Sequence, residues 1–159
     1  MQIRIIAVGK IKEKFLQDGI FEYEKRLRPY AKVQVSEVSE EKRPVTASAS
    51  VERATMEKEG ERILAAIPDG SFVIVLDIRG ESWSSEELAE SFRQWELAGQ
   101  NQLAFVIGGD LGISPEVLAR GDLHLSLSRM TFTHPMARFL LVEQVYRAFR
   151  IIRGEPYHK

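Results

Sequence analysis

Two uninterrupted apolar runs, Phe72–Leu76 (FVIVL) and Leu103–Ile107 (LAFVI), do most to restrict what this chain can become. A strand with one face in water alternates apolar and polar residues. A continuous apolar run of this length belongs to a strand covered on both faces. Ile3–Val8 and Leu123–Leu127 read as further buried strands, and Val33, Val35 and Val38 mark a short one that alternates over its first part. Helical signals fall between them. Lys12–Leu27 is expected to be helical and to end before Pro29. Val51–Ile67 is expected to be helical too, with a turn at Pro68-Asp69-Gly70. Ser84 and Glu87 form a capping box opening a helix to about Leu97, with Gly99 as its stop. Ser114-Pro115 opens a short helix through Arg120, and Pro135–Ile152 is a long final one. Ser39–Ser50 is the most loop-like stretch. Strands alternating with helices predict an α/β fold, a single domain over 1–159, with a mostly parallel sheet covered by helices on both faces.

The 159 residues contain no cysteine, which removes disulfides, thiolate metal sites and any Cys nucleophile. Three dispersed histidines do not make a metal-ligand set, so no metal is expected. No apolar run approaches the roughly 18 residues of a membrane span. The start, MQIRIIAVGK, lacks the apolar core and cleavage site of a secretory leader, so a cytoplasmic location is expected. The net charge of −1 argues against a general nucleic-acid binder, yet residues 137–159 hold five Lys and Arg against two Glu. A second basic cluster runs from Lys10 to Arg28.

In parallel sheets, ligands collect beyond the carboxyl ends of the strands. Three such ends merit attention: the residues after Leu76, the turn Gly108-Gly109-Asp110-Leu111-Gly112, and Ser128–Pro135. The glycine turn allows close approach of a ligand but reads equally as a structural turn. It matches neither the dinucleotide nor the P-loop pattern. Ser128–Pro135 interleaves polar, apolar and titratable side chains where a plain connector would use Gly, Asn and Asp. His134 should stand near the N-terminus of the last helix, as a ligand-facing group or as a cap. Residues 136–152 hold 12 apolar residues out of 17, too many for one stripe. That helix either runs through the middle of the domain or packs on another chain. Glu143 and Arg147, spaced i, i+4, are expected to pair structurally. The tail 153–159 places an aromatic ring, an imidazole and two cations together, a mixture suited to RNA bases and phosphates.

These segments carry a resemblance. Positions 5–14 (IIAVGKIKEK), 22–27 (EYEKRL), 105–109 (FVIGG), 127–134 (LSRMTFTH) and 143–159 (EQVYRAFRIIRGEPYHK) are similar to the ribosomal RNA large-subunit methyltransferase H family, of the SPOUT class of methyltransferases. The likeness runs end to end. It departs at Thr133 and Pro135, which flank His134, and at Asp110-Leu111. The resemblance implies a C-terminal trefoil knot and S-adenosylmethionine as methyl donor, contacted by Leu76, Gly108, Leu127, Ser128, Arg129, Met130, Thr131 and Phe132. It implies a homodimer and, as substrate, N3 of a pseudouridine in large-subunit ribosomal RNA. The near-neutral charge favours weak binding to isolated RNA and adds the expectation that an assembled subunit or ribosome presents the loop. His134 and Arg138 are expected to position the reaction beside the cofactor, with Tyr157 and His158 reaching the base from the same or the other subunit. His134 or His158 could take the N3 proton; alternatively Arg138 or Arg153 could stabilise the resulting anion. The rival reading is a ribosome-binding factor that keeps the fold without the activity.

Overall fold

The computed structural model describes all residues from Met1 to Lys159. Five strands form one sheet: β1 (Gln2–Val8), β2 (Lys32–Val38), β3 (Phe72–Ser82), β4 (Gln102–Ile107) and β5 (Leu123–Ser126). Their order is β2-β1-β4-β3-β5, and every pairing is parallel. The two apolar runs lie side by side, Phe72 opposite Leu103 and Ile74 opposite Phe105, at the interior of the sheet.

Alternation along the strands divides the core into two layers. Ile3, Ile5, Leu103, Phe105, Ile107 and Ile74 face the larger one. It is completed by α1 (Lys14–Leu27), α3 (Ser85–Leu97) and α5 (His134–Ile152). Ile6, Val8, Ala104, Val106, Val73 and Val75 face the smaller one, under α2 (Ala49–Ala66) and α4 (Pro115–Arg120). Helices therefore cover both faces, as the apolar runs require.

Helix α5 lies between α1 and α3 over β4. Its excess of apolar residues is spent on three sides within the chain, burying Leu141, Val142, Val145, Ala148 and Phe149. Phe139 fits against Gly19, where any Cβ would fall 2.7 Å from the ring, which lets α1 and α5 approach closely.

Local chemistry sets the helix starts. The capping box at Ser84 and Glu87 forms with both of its hydrogen bonds, and Ser114 caps α4 ahead of Pro115. Two starts differ from expectation. Helix α1 begins at Lys14 rather than Lys12, because the Gln17 amide donates to the Ile11 carbonyl at 2.5 Å and holds the preceding turn open. Helix α2 begins at Ala49, since Ser48, not a later residue, accepts the Val51 N–H.

The largest difference is β3, which runs on to Ser82. Leu125 of β5 is the register partner of both Leu76 and Glu81, so Asp77–Gly80 bulges out between two paired stretches. No helix is long and apolar enough to cross a membrane.

Candidate active site

One large cleft, about 1230 Å³ in volume, opens at the bulge of β3 and where β4 and β5 end. Small-molecule sites usually occupy roughly 300–1,000 Å³. The cleft can therefore take a nucleoside-sized ligand with room for a second group beside it. Leu76–Arg79 form one wall, the turn from Ile107 to Ile113 a second, and Leu127 through Ala137, apart from Arg129, a third.

Each wall is shaped by its own sequence. In the first, Asp77 Oδ1 accepts the Arg79 N–H at 3.1 Å, folding the bulge back on itself. In the second, the Gly112 N–H donates to the Gly109 carbonyl at 3.1 Å, and Gly112 has φ +94°, which L side chains rarely adopt. Gly108 sits against this turn so closely that a Cβ would fall 2.6 Å from Ile113 Cδ1 and 2.8 Å from the Gly112 carbonyl oxygen. In the third, Ser128 Oγ accepts the Met130 N–H at 3.0 Å and Ser126 Oγ donates to the Ser128 carbonyl at 2.9 Å. Serine thus sets the curve of the chain before Met130 and Phe132, which remain exposed toward the cleft.

His134 is the first residue of α5, half-buried in the cleft wall. Thr133 makes no side-chain hydrogen bond to the helix, so the histidine does not act beside a conventional cap. The helix N-terminus, with its partial positive charge, faces the cleft. Across from it, the Arg43 guanidinium forms a two-pronged pair with Asp110, at 3.2 and 2.7 Å. Arg43 chiefly, and His134 more weakly, hold the Asp110 carboxyl below the usual carboxylate range.

The other expected residues are distributed differently. Arg129 is exposed outside the cleft. Arg138, only 4% exposed, turns to the far side of α5, donating to Glu37 Oε2 at 2.8 Å and to the Gly9 carbonyl at 3.2 Å. It lines a separate cleft of about 470 Å³ between α1, β2 and α5. Tyr157 and His158 fold back on their own chain. The Tyr157 ring meets Tyr146 edge-on at 4.9 Å, and His158 lies between Arg147 and Glu86. Arg147 can only donate, so His158 Nδ1 accepts and its Nε2–H donates to Glu86 at 2.7 Å. Tyr146 and Arg147 lie 12 and 13 residues beyond His134, or about 18–20 Å along the helix axis. Within one chain the tail and the cleft do not meet. The third histidine, His124, contacts the Leu118 carbonyl through Nε2 at 2.8 Å, a structural link between β5 and α4.

Asp77, Arg79 and Asp110 also belong to the cleft; they lie in the stretches after Leu76 and Ile107 that the sequence points to, without a motif that singles them out individually. Asp110 sits in the glycine turn, and its partner Arg43 is 67 residues away in the loop before α2. No group of three or more His, Cys, Asp or Glu residues is placed to hold a metal ion.

Comparison with known proteins agrees with this architecture. The model of the family described as "Predicted SPOUT methyltransferase" matches residues 1–158. A protein of Methanoregula boonei is 60% identical over 159 residues, covering the whole of both chains. Proteins named ribosomal RNA large subunit methyltransferase H from Carboxydothermus hydrogenoformans and Halothermothrix orenii are 55% and 53% identical, again over all of both chains. Among solved structures, one concerned with 2-OH methylation of C/U34 on tRNA superposes with a TM-score of 0.50 at 18% identity. It covers 97% of this chain and 98% of that one, a likeness of fold. By these matches the chain belongs to the SPOUT methyltransferases, in the ribosomal RNA large subunit methyltransferase H family.

Proposed function

We propose that this chain, one SPOUT domain over residues 1–159, transfers a methyl group from S-adenosylmethionine to N3 of a pseudouridine in large-subunit ribosomal RNA. The observation that carries the reading is the cleft, where the bulge of β3, the ends of β4 and β5, a tightly packed glycine turn and an uncapped helix N-terminus converge. A threaded, trefoil-knotted path through these loops is part of the proposal. Loops closed that way would hold a folded donor rigidly.

The residues fit the donor. Leu76, Leu127 and Phe132 offer apolar surface, the Gly108 turn offers backbone groups at close range, and Ser128, Met130 and Thr131 complete the enclosure. When bound, the donor supplies a methyl carbon on a positively charged sulfur, so transfer is an in-line displacement. The protein's task is then alignment and exclusion of water. The absence of cysteine agrees with a nitrogen acceptor, which needs no covalent activation of the ring.

The N3 proton must leave before or during attack. His134, in the cleft wall, is the group best situated to take it. The N–H groups of the first turn of α5 would stabilise the negative charge left on the base. Arg138 contributes by holding the start of α5 against β1 and β2 through Gly9 and Glu37. Tyr157 and His158 serve the cleft of a second copy, in a homodimer; their separation of about 18–20 Å from His134 along α5 supports this arrangement. The substrate is the assembled ribosome in the cytoplasm.

The test is to incubate the protein with labelled donor and separated or joined ribosomal subunits, then map the modified nucleotide. Methylation at pseudouridine N3 is expected. Donor binding by calorimetry without transfer to any ribosomal RNA would favour a non-catalytic ribosome-binding factor.

A further inference from the structure

The smaller cleft, of about 470 Å³ between α1, β2 and α5, has a chemistry of its own. The start of α1 divides it from the large one: Phe15 and Leu16 line the large cleft, Gln17 and Phe21 the small one. The two are nonetheless neighbours. Arg138, which lines the small cleft, is four residues after His134, about 6 Å along α5.

The lining combines an exposed ring with polar groups that have bonds left to make. Phe21 is 56% exposed, and Ile20 and Val35 supply apolar surface with it. Most charges nearby are paired, Asp18 with Lys14, Glu22 with Lys25 and Arg26, and Glu37 with Arg138. Lys10 and Glu24, both in the lining, make no ion pair. Burial pushes the half-buried Glu24 carboxyl above the usual carboxylate range; Arg138 and Arg28 oppose this, and Glu37 adds to it. Arg138 itself, almost fully buried, leaves its Nε without a hydrogen-bond partner. Polar groups this far from water are normally satisfied, so the cleft is suited to a ligand that supplies the missing partners.

Its charges narrow the ligand. Two cations face three carboxylates, Asp18, Glu24 and Glu37, so a phosphate has no favoured place inside. An aromatic ring beside carboxylate acceptors suits an unstacked base instead. A carboxylate can accept two parallel N–H donors. Among the four standard RNA bases, guanine alone presents two on adjacent atoms, N1–H and N2–H. Its other edge, O6 and N7, carries acceptors suited to Lys10 and Arg138.

We propose that this cleft is a guanine-nucleotide site, in which the base stacks on Phe21, donates N1–H and N2–H to Glu24, and leaves its phosphate at the mouth. The nucleotide is either free or part of the RNA strand whose target base enters the large cleft. The second case rests on the reading that the substrate is RNA. Clefts whose linings begin one helical turn apart can be served by one strand, and a base read here would supply sequence information that phosphate contacts lack.

The test has two arms, both with the full-length protein. In the first, isotope-labelled protein with its large cleft filled by S-adenosylhomocysteine is titrated with GMP, AMP, CMP and inorganic phosphate and followed by NMR. GMP should shift the signals of Ile20, Phe21, Glu24 and Val35, with AMP about tenfold weaker or more. Phe21→Ala should weaken GMP binding about fivefold or more, and Phe21→Tyr should keep it. Glu24→Gln should erase the preference for GMP over AMP. No shifts around Phe21 with any nucleotide, or the same shifts with inorganic phosphate alone, would overturn the proposal. So would wild-type GMP binding in both Phe21→Ala and Glu24→Gln. The second arm measures methyl transfer to ribosomes by the same variants. A KM raised about fivefold or more, with kcat and donor affinity unchanged, makes the nucleotide part of the ribosomal RNA. A wild-type KM beside weakened GMP binding makes it a free nucleotide. A fall in kcat or donor affinity without loss of GMP binding would overturn the proposal, leaving the cleft a mere support for α5. Wild-type protein that binds GMP here yet methylates no ribosomal RNA would refute the functional reading and leave the site standing.

Discussion

The Tyr157 hydroxyl donates to Glu143 Oε1 at 2.8 Å, tying the end of the tail to the middle of the last helix. Because that proton is committed, the Tyr23 hydroxyl 3.0 Å away must donate to Tyr157. Burial, reinforced by Tyr23 and Glu143, pushes the Tyr157 phenol well above its usual range. The folded state therefore holds this proton more tightly than the unfolded chain. The resulting stability is fully present below pH about 10, the unfolded value, and is lost as pH rises beyond it. Tyr157→Phe should cost about 1 kcal/mol at pH 8. The gap in melting temperature between variant and wild type should shrink above pH 10. A gap that stays constant across that range would show that the hydroxyl carries no such linkage.

Glu59 follows the same sign in a lower pH range. It is 2% exposed on α2; Oε2 accepts the Glu41 N–H at 3.0 Å, while Oε1 has no partner. Burial raises its pKa, and nearby Glu40 and Asp110 add to the effect. A carboxyl raised in the folded state costs stability once pH climbs above its unfolded value, so acidification relieves the cost. Glu59→Gln keeps the shape and the bond to Glu41 while removing the charge. It should stabilise the protein by about 1 kcal/mol at pH 7.5 and by almost nothing at pH 4.5, as read from thermal melts. Destabilisation at neutral pH would mean the charge has a partner role that outweighs its burial.

Gly80, at the bulge of β3, is the glycine whose replacement should hurt most. A Cβ there would fall 2.6 Å from the backbone carbonyl carbon and oxygen of His124, and backbone cannot step aside as a side chain can. Gly80→Ala should cost about 3 kcal/mol, lowering the melting temperature by roughly 6–12 °C for a chain of this size. Since the bulge forms one wall of the cleft, donor affinity should fall as well. Gly70, with nothing within 4 Å but φ +76°, serves as the control: Ala there should cost about 1 kcal/mol and leave donor affinity alone.

The sheet was legible because its strands are buried on both faces, so that FVIVL and LAFVI could be little else. The continuation of β3 through Asp77–Ser82 was not. Its polar residues carry no period, and its pairing depends on β5 meeting it twice, a property of two distant segments together. The cleft shows the same division. Strand ends can be found by walking along the chain, and Leu76, Gly108 and the loop after Leu127 followed from that. The Arg43–Asp110 pair joins residues 67 positions apart, and no local pattern announces it. The path of Arg138 is hidden for a related reason: helical spacing puts it one turn from His134, but its long flexible side chain goes where its partners are, at Gly9 and Glu37.

The tail offers the most decisive prediction, because its role depends on which cleft it serves. Ending the chain after Gly154 removes Glu155, Tyr157 and His158, hence their bonds to Tyr30, Glu143 and Glu86. None of these touches the cleft of the same chain. Donor affinity should persist, the melting temperature should drop by several degrees, and methylation of ribosomes should be abolished. That alone does not tell cis from trans. Mixing truncated chains with full-length chains whose cleft is blocked by Gly108→Leu does. If the tail acts across a dimer, a mixed pair has one intact cleft served by one intact tail. Random one-to-one pairing would then recover about a quarter of wild-type activity. If the tail acts within its own chain, no pairing unites the two parts, and the mixture stays inactive. With tail and cleft held about 18–20 Å apart along α5, recovery is the expected outcome.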